Sequence, residues 1–80
     1  NYPNPFNPTT QIQYELPLAG EISLTLYNTL GIEVMQLDNG IKSAGIHNIS
    51  FDGGHLPTGI YFYQLRTGSF VKTRKMSLLK

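Results

Sequence analysis

The chain has 80 residues, a formal net charge of +1 and no cysteine. A chain of this length forms one domain, and its small core is used almost entirely for folding, so a large internal ligand cavity is not expected. Disulfides and thiol chemistry are excluded, and no apolar run is long enough for a membrane-spanning helix. Because the chain begins at Asn1 without a methionine, we expect it to be the C-terminal piece of a larger protein.

The charges are distributed unevenly along the chain. Residues 1–65 carry one lysine and five acidic residues, a net charge of −4, whereas residues 66–80 carry five basic residues and no acid, a net charge of +5. Binding to nucleic acid is not expected, because the basic residues are not interleaved with exposed aromatic residues. Two interpretations stay open: a charged edge strand that blocks aggregation, and a surface that a partner recognises.

Proline and asparagine dominate the first eight residues. The interleaved positions are Pro3, Asn4, Pro5, Asn7 and Pro8. Proline fixes φ and keeps the preceding residue extended, so residues 1–8 are expected to form a stiff lead ahead of a domain at 9–80. In this lead Tyr2 and Phe6 either fold back to cover an edge or open end of the domain, or belong to a segment that is merely a rigid boundary between an upstream domain and this one.

Alternation of apolar and polar residues predicts three strands in the first half of the chain. These strands are Thr9–Leu16, Glu21–Tyr27 and Ile32–Leu37. The apolar residues of the third segment change parity between Val34 and Met35, which indicates a β-bulge or a switch between sheets. A loose loop is expected from Asp38 to Gly45.

Three further strands are predicted in the second half. They are Ile46–Phe51, Gly59–Thr67 and Phe70–Lys80. Gly68 and Ser69 form a tight hairpin turn between the last two strands. The side chains expected to face the core from the fifth strand are Tyr61, Tyr63 and Leu65. Six or seven short strands at this spacing predict an all-β fold, a small immunoglobulin-like antiparallel β-sandwich.

The residues that could carry catalysis or bind a metal are sparse. His47 lies within a predicted strand and His55 follows a glycine turn, but neither is placed beside a nucleophile and an orienting acid. Asp52 and His55 are three residues apart, but two residues are too few ligands for a metal site. We therefore expect no catalytic residue, no metal and no cofactor.

Four stretches spread over the whole chain resemble the motifs of one family. They are NYPNPFNPTT at 1–10, YNTLGIEV at 27–34, LPTGIYFYQL at 56–65 and KMSLLK at 75–80. With these motifs the chain resembles the type A C-terminal sorting domains of cargo proteins of the type IX secretion system, found in Bacteroidetes and related bacteria. It is also similar to the immunoglobulin-like domain of the flagellar hook-capping protein family.

The first resemblance implies a non-enzymatic domain at the extreme C-terminus of a secreted protein. In that family the cargo crosses the inner membrane by a signal peptide, and the sorting domain is read in the periplasm. The domain then guides the cargo through the outer-membrane translocon to the cell surface or the medium, and in many members a sortase-like peptidase removes it. The implied partners are therefore the outer-membrane machinery, that peptidase and a cargo domain upstream in the same chain.

The resemblance and the basic terminal segment together place the expected recognition element in the hairpin 59–80, turned at Gly68. The side chains expected to make charged contacts with the machinery are Lys72, Lys75 and Lys80. The glycines expected to have a backbone role are Gly31 and Gly59. The alternative is a structural or carbohydrate-binding accessory module, for which the candidate sugar-stacking residues are Tyr27, Phe62 and Phe70.

Overall fold

The computed structural model describes residues 9–78. The expectations for the lead, with Pro3, Asn4, Pro5, Phe6, Asn7 and Pro8, and for Lys80 concern residues outside this range. The described part contains six strands and no helix. They are β1 (Thr9–Leu16), β2 (Gly20–Tyr27), β3 (Glu33–Lys42), β4 (Gly45–Asp52), β5 (Gly59–Thr67) and β6 (Phe70–Leu78).

The strands form two antiparallel sheets. One sheet contains β1 and β4, and the other has the order β3-β2-β5-β6. This arrangement corresponds to strands B and E facing strands C′, C, F and G of an immunoglobulin-like domain. The predicted fold class, a small antiparallel β-sandwich, is confirmed.

The inward residues of the two sheets form one hydrophobic core. The buried side chains are Ile12, Tyr14, Leu16, Ile22, Leu24, Leu26, Phe51, Leu56, Tyr61, Leu65 and Leu78. Tyr63 is partly buried and packs against this core. Most of these residues alternate along their strands, because successive side chains of a strand point to opposite faces of the sheet.

Strand β3 contains two bulges and is longer than predicted. Its register against β2 shifts twice, which leaves Val34 and Leu37 without a partner residue, and this lets Val34, Met35 and Leu37 all pack on the core. The bulge predicted from the parity change is thereby confirmed. The loop expected from Asp38 to Gly45 is wrong over residues 38–42, because the first residues of β2 pair with this part of β3.

A hydrogen bond fixes the entry into β5. The hydroxyl of Tyr61, near the start of the strand, donates to the carbonyl oxygen of Pro57 at 2.6 Å. A tyrosine that bonds back to the preceding backbone at the start of strand F is a hallmark of immunoglobulin-like sandwiches. The turn before it is closed by the N–H of Leu56, which donates to the carbonyl oxygen of Gly53 at 3.0 Å. The LPTGIY stretch therefore has a structural role in this corner.

Candidate recognition surface

The predicted recognition residues of the described chain lie on an edge strand. Within residues 9–78, β6 pairs with β5 on one side and has no strand on the other. The two-residue turn joining them is confirmed, and Gly68 has a φ of 57° there. This left-handed conformation favours glycine, because a Cβ would crowd the following carbonyl oxygen.

Lys72 and Lys75 point to opposite faces of the four-stranded sheet. Residues directly opposite each other in an antiparallel pair share a face. Lys72 lies opposite the buried Leu65, so it belongs to the inner face, whereas Lys75 lies opposite Phe62 on the outer face. Arg74, opposite Tyr63, joins Lys72 on the inner face. The sequence prediction omitted Arg74, although its two-residue spacing from Lys72 was a usable signal.

The inner face of β6 opens onto a groove of about 280 Å³ between the two sheets. Tyr63, Lys72 and Arg74 line one side of the groove, and Gln13 and Glu15 of β1 line the other. The groove exists because the small sheet has only two strands, so it does not cover the outermost strand of the larger sheet. Two basic side chains that face inward in strand register are therefore solvent-accessible.

The basic side chains of β6 lack counter-ions within the described chain. The ion pair found among residues 9–78 joins Lys42 Nζ to Asp38 Oδ1 at 3.2 Å, on β3 at the opposite edge of the sheet. Lys72, Arg74 and Lys75 are all exposed and make no such pair with described residues. Their positive charge is available to a partner.

A polar cluster that sequence reasoning missed connects the two sheets. The hydroxyl of Tyr14, on β1, donates to Asp38 Oδ2 of β3 at 3.0 Å, and Lys42 pairs with the other oxygen of the same carboxylate. The ring of His47, on β4, stacks on Tyr14 with ring centroids 5.2 Å apart, and its Nε2 lies 2.8 Å from the carbonyl oxygen of Ser43. No signal in the sequence links residues 24 positions apart in this way.

The two pKa values in this cluster move apart. Burial, the hydrogen bond with Asp38 and the negative charge of Asp38 raise the pKa of Tyr14 to about 12. Burial alone would raise the pKa of Asp38, but hydrogen bonds from Tyr14, Lys42 and the N–H of Asn39, with the charge of Lys42, outweigh it and lower that pKa. Neutral tyrosine and ionised aspartate therefore form a stable donor–acceptor pair between the sheets.

The two glycines expected to have a backbone role differ. Gly31 has a φ of 81° in the β2–β3 turn, where the side chain of Asn28 accepts hydrogen bonds from the N–H groups of Leu30 and Ile32 at 2.9 and 3.0 Å. Gly59 has no left-handed φ, and an added Cβ would meet no atom within 4 Å. The backbone reason predicted for Gly59 therefore finds no support in its conformation.

The three candidate sugar-stacking aromatics do not form one surface. Tyr27 and Phe62 lie opposite each other on β2 and β5, and both line a shallow groove of about 400 Å³ on the outer face. Beside them Gln64 Nε2 donates to Thr73 Oγ1 at 3.1 Å, at the same groove. Phe70 lies opposite Thr67 at the far end of β6 and lines the inter-sheet groove instead.

A second apolar surface lies at the end of the sandwich that holds the β1–β2, β3–β4 and β5–β6 turns. Leu18 and Ile41 there are 79% and 84% exposed, and Phe70 is also exposed. Leu18 and Phe70 line a broad groove of about 870 Å³ at this end. Exposed apolar side chains gathered at one end are typical of a contact surface.

Potential metal ligands do not cluster among the described residues. Within 9–78 no three residues among His, Cys, Asp and Glu come together as potential ligands. The described part of the chain also contains no helix long and apolar enough to cross a membrane.

The comparison with protein families assigns the chain to a class. A family model described as "Secretion system C-terminal sorting domain" matches residues 1–78, and the chain belongs to this family of type IX secretion sorting domains. The match includes the proline-rich opening as well as all six described strands. No curated protein and no solved structure matches the chain.

Proposed function

We propose that this chain is the sorting signal that directs an attached cargo protein through the type IX secretion machinery and across the outer membrane. The match to the sorting-domain family over residues 1–78 carries the proposal. The cargo domain lies upstream in the same chain, with residues 1–8 as a stiff boundary and 9–80 as the sorting domain. The domain binds the machinery and performs no chemistry itself.

The contact with the machinery is assigned to the β5–β6 hairpin. Lys72 and Lys75 are exposed on an edge strand and have no counter-ion among the described residues, which suits recognition by a negatively charged surface. Lys80 adds a further charge at the end of the chain, and Gly68 sets the turn. The domain is read in the periplasm. A sortase-like peptidase then removes it near its N-terminal boundary, and the cargo stays on the cell surface or enters the medium.

The test is export of a reporter. Residues 1–80 are fused to the C-terminus of a fluorescent reporter with a signal peptide, and the fusion is expressed in a host with the type IX system and in a translocon deletion strain. We expect the reporter outside intact cells of the first strain and inside the periplasm of the second. A folded fusion that stays in the periplasm of both strains would refute the sorting function.

The residue assignment has its own test. Replacing Lys72, Lys75 and Lys80 together by Ala should lower the exported fraction, whereas Lys42→Ala, on the opposite edge strand, should not. Equal export of both variants would show that these three charges are not the recognised feature. Immunoblots of the exported reporter, with and without its domain, report on cleavage in the same experiment.

A second candidate function is carbohydrate binding at the outer-face groove. It is supported by the adjacent aromatic residues Tyr27 and Phe62 and by the ordered Gln64 and Thr73 side chains beside them. Aromatic faces with neighbouring hydrogen-bonding groups suit sugar rings. Binding of the fusion to a glycan array that is lost with Phe62→Ala would support this function, and absence of binding by the unaltered fusion would remove it.

A further inference from the structure

Within residues 9–78, no strand pairs with the outer edge of β6. Thr67 and Phe70 are partners on either side of the two-residue turn. In a hairpin with such a turn, the two residues that flank it form a hydrogen-bonded pair. Pairs along an antiparallel ladder alternate between hydrogen-bonded and non-hydrogen-bonded. It follows that the residues whose N–H and C=O groups point away from β5 are Val71, Thr73, Lys75 and Ser77.

The side chains at this edge favour binding of a strand that carries acidic residues. Lys72 and Arg74 are two residues apart on the inner face and have no ion-pair partner among residues 9–78. A strand added beside β6 would place its own side chains directly opposite them, because directly opposed residues share a face. Oppositely charged pairs in such positions stabilise a sheet. Two acidic residues at alternate positions of the added strand would match Lys72 and Arg74.

Among residues 9–78, no strand stands in the way of such an addition at the outer edge of β6. The inner face at Lys72 and Arg74 opens to the inter-sheet groove, whose far wall is formed by Gln13 and Glu15 of β1. Glu15 on that wall is negatively charged, so it would repel an acidic segment inside the groove. An acidic strand is therefore favoured at the outer edge of β6, beside Lys72 and Arg74, rather than inside the groove.

We propose that the secretion machinery recognises this domain by strand addition: an extended segment with acidic residues at two alternate positions pairs with the outer edge of β6. The inference rests on the proposed sorting function and specifies its contact. Backbone hydrogen bonds to Val71, Thr73 and Lys75 supply affinity, and the acidic side chains opposite Lys72 and Arg74 supply specificity.

The first test uses two substitutions at Thr73 that leave the charge of β6 unchanged, and only one of them removes a backbone N–H. Thr73→Pro removes an N–H that points away from β5, so the ladder to β5 keeps its hydrogen bonds. Thr73→Val is the matched control, because it also removes the hydroxyl that accepts from Gln64 but keeps the N–H. In the reporter export assay we expect Thr73→Pro to lower the exported fraction about tenfold, the factor of one well-placed hydrogen bond, and Thr73→Val to leave it unchanged.

The second test reverses the charge without changing the backbone. Lys72→Glu with Arg74→Glu should abolish export, whereas Arg66→Glu, an exposed residue on the outer face of β5, should not. If the basic residues served only to keep β6 from aggregating, glutamates would do the same and export would persist. Thermal melts of the purified fusions detect whether Thr73→Pro unfolds the domain. In that case Val71→Pro, which also removes an N–H that points away from β5, takes its place in the test of strand pairing.

The outcomes are distinguishable from failure of the sorting function. If the unaltered fusion is not exported, both the sorting function and the strand-addition contact are overturned. If the unaltered fusion and a folded Thr73→Pro fusion are exported equally, strand addition alone is overturned. If the doubly reversed variant is exported normally, the acidic character of the partner strand is wrong.

Discussion

Removing the hydroxyl of Tyr14 tests whether the polar cluster connects the two sheets energetically. Tyr14→Phe keeps the buried ring and its stacking on His47 but deletes the 3.0 Å hydrogen bond to Asp38. Hydrogen bonds to charged groups contribute about 1.5–3 kcal/mol. Because Lys42 and solvent still reach Asp38, we take the lower part of this range, about 1.5–2 kcal/mol. For a domain of this size that corresponds to a melting temperature lower by roughly 6–16 °C.

The same substitution should change the pH dependence of stability. The pKa of Asp38 is lowered in the folded state, so its contribution is present above its unfolded pKa of about 4 and is lost as the pH falls through the folded value. The pKa of Tyr14 is raised to about 12, so its contribution is present below its unfolded value of about 10 and is lost as the pH rises from 10 towards 12. Tyr14→Phe should therefore lose less stability than the unaltered protein both at acidic pH and above pH 10.

The assay is reversible denaturation followed by circular dichroism between pH 3 and pH 11, as far as the fold persists. Tyr63→Phe is the matched control, since the Tyr63 hydroxyl makes no hydrogen bond among the described residues and its loss should cost less than about 0.5 kcal/mol. Equal stability of the two variants at pH 7, or an unchanged pH profile for Tyr14→Phe, would refute the reasoning.

Three further predictions concern stability, each measured by denaturant unfolding. Gly31→Ala should lower the free energy of unfolding by about 1–2 kcal/mol because Gly31 has a left-handed φ, whereas Gly59→Ala should leave it unchanged or raise it slightly. Equal effects of the two substitutions would contradict the assignment of their conformations. Tyr61→Phe should cost about 0.5–1.5 kcal/mol through the lost bond to the backbone before β5, and an unchanged midpoint would count against this corner. Leu78→Ala should lower the free energy of unfolding by about 2–5 kcal/mol, since Leu78 is 2% exposed. Val71→Ala, at an exposed position, should change it by less than about 0.5 kcal/mol. Similar values for both would show that the end of β6 is not packed.

Local sequence signals located the strands well where alternation was regular. The bounds predicted for β1 and β5 are those of the structure, and the hairpin turn at Gly68 was found from a glycine between two β-rich segments. The end of β3 was missed because Asp38, Asn39 and Gly40 are typical turn residues. Pairing with the start of β2 overrides that local preference, and tertiary context decides such cases.

The candidate site was only partly accessible from the sequence. The basic character of the last segment and the residues Lys72 and Lys75 could be read directly, as could the family resemblance of the four motifs. The two-residue spacing of Lys72 and Arg74 indicates that they share a face, but the register against β5 was needed to show that this is the inner face of the sheet.

The sequence by itself determined the strands, the absence of disulfides and the basic final segment, because alternation, composition and charge are local properties. Only the tertiary structure decided that β6 is an edge, that Lys72 and Arg74 face an open groove, and that Tyr14 bonds to Asp38. These features arise from contacts between segments distant in the chain. Such contacts depend on how the two sheets pack and on the number of strands in each, which no short stretch of residues encodes.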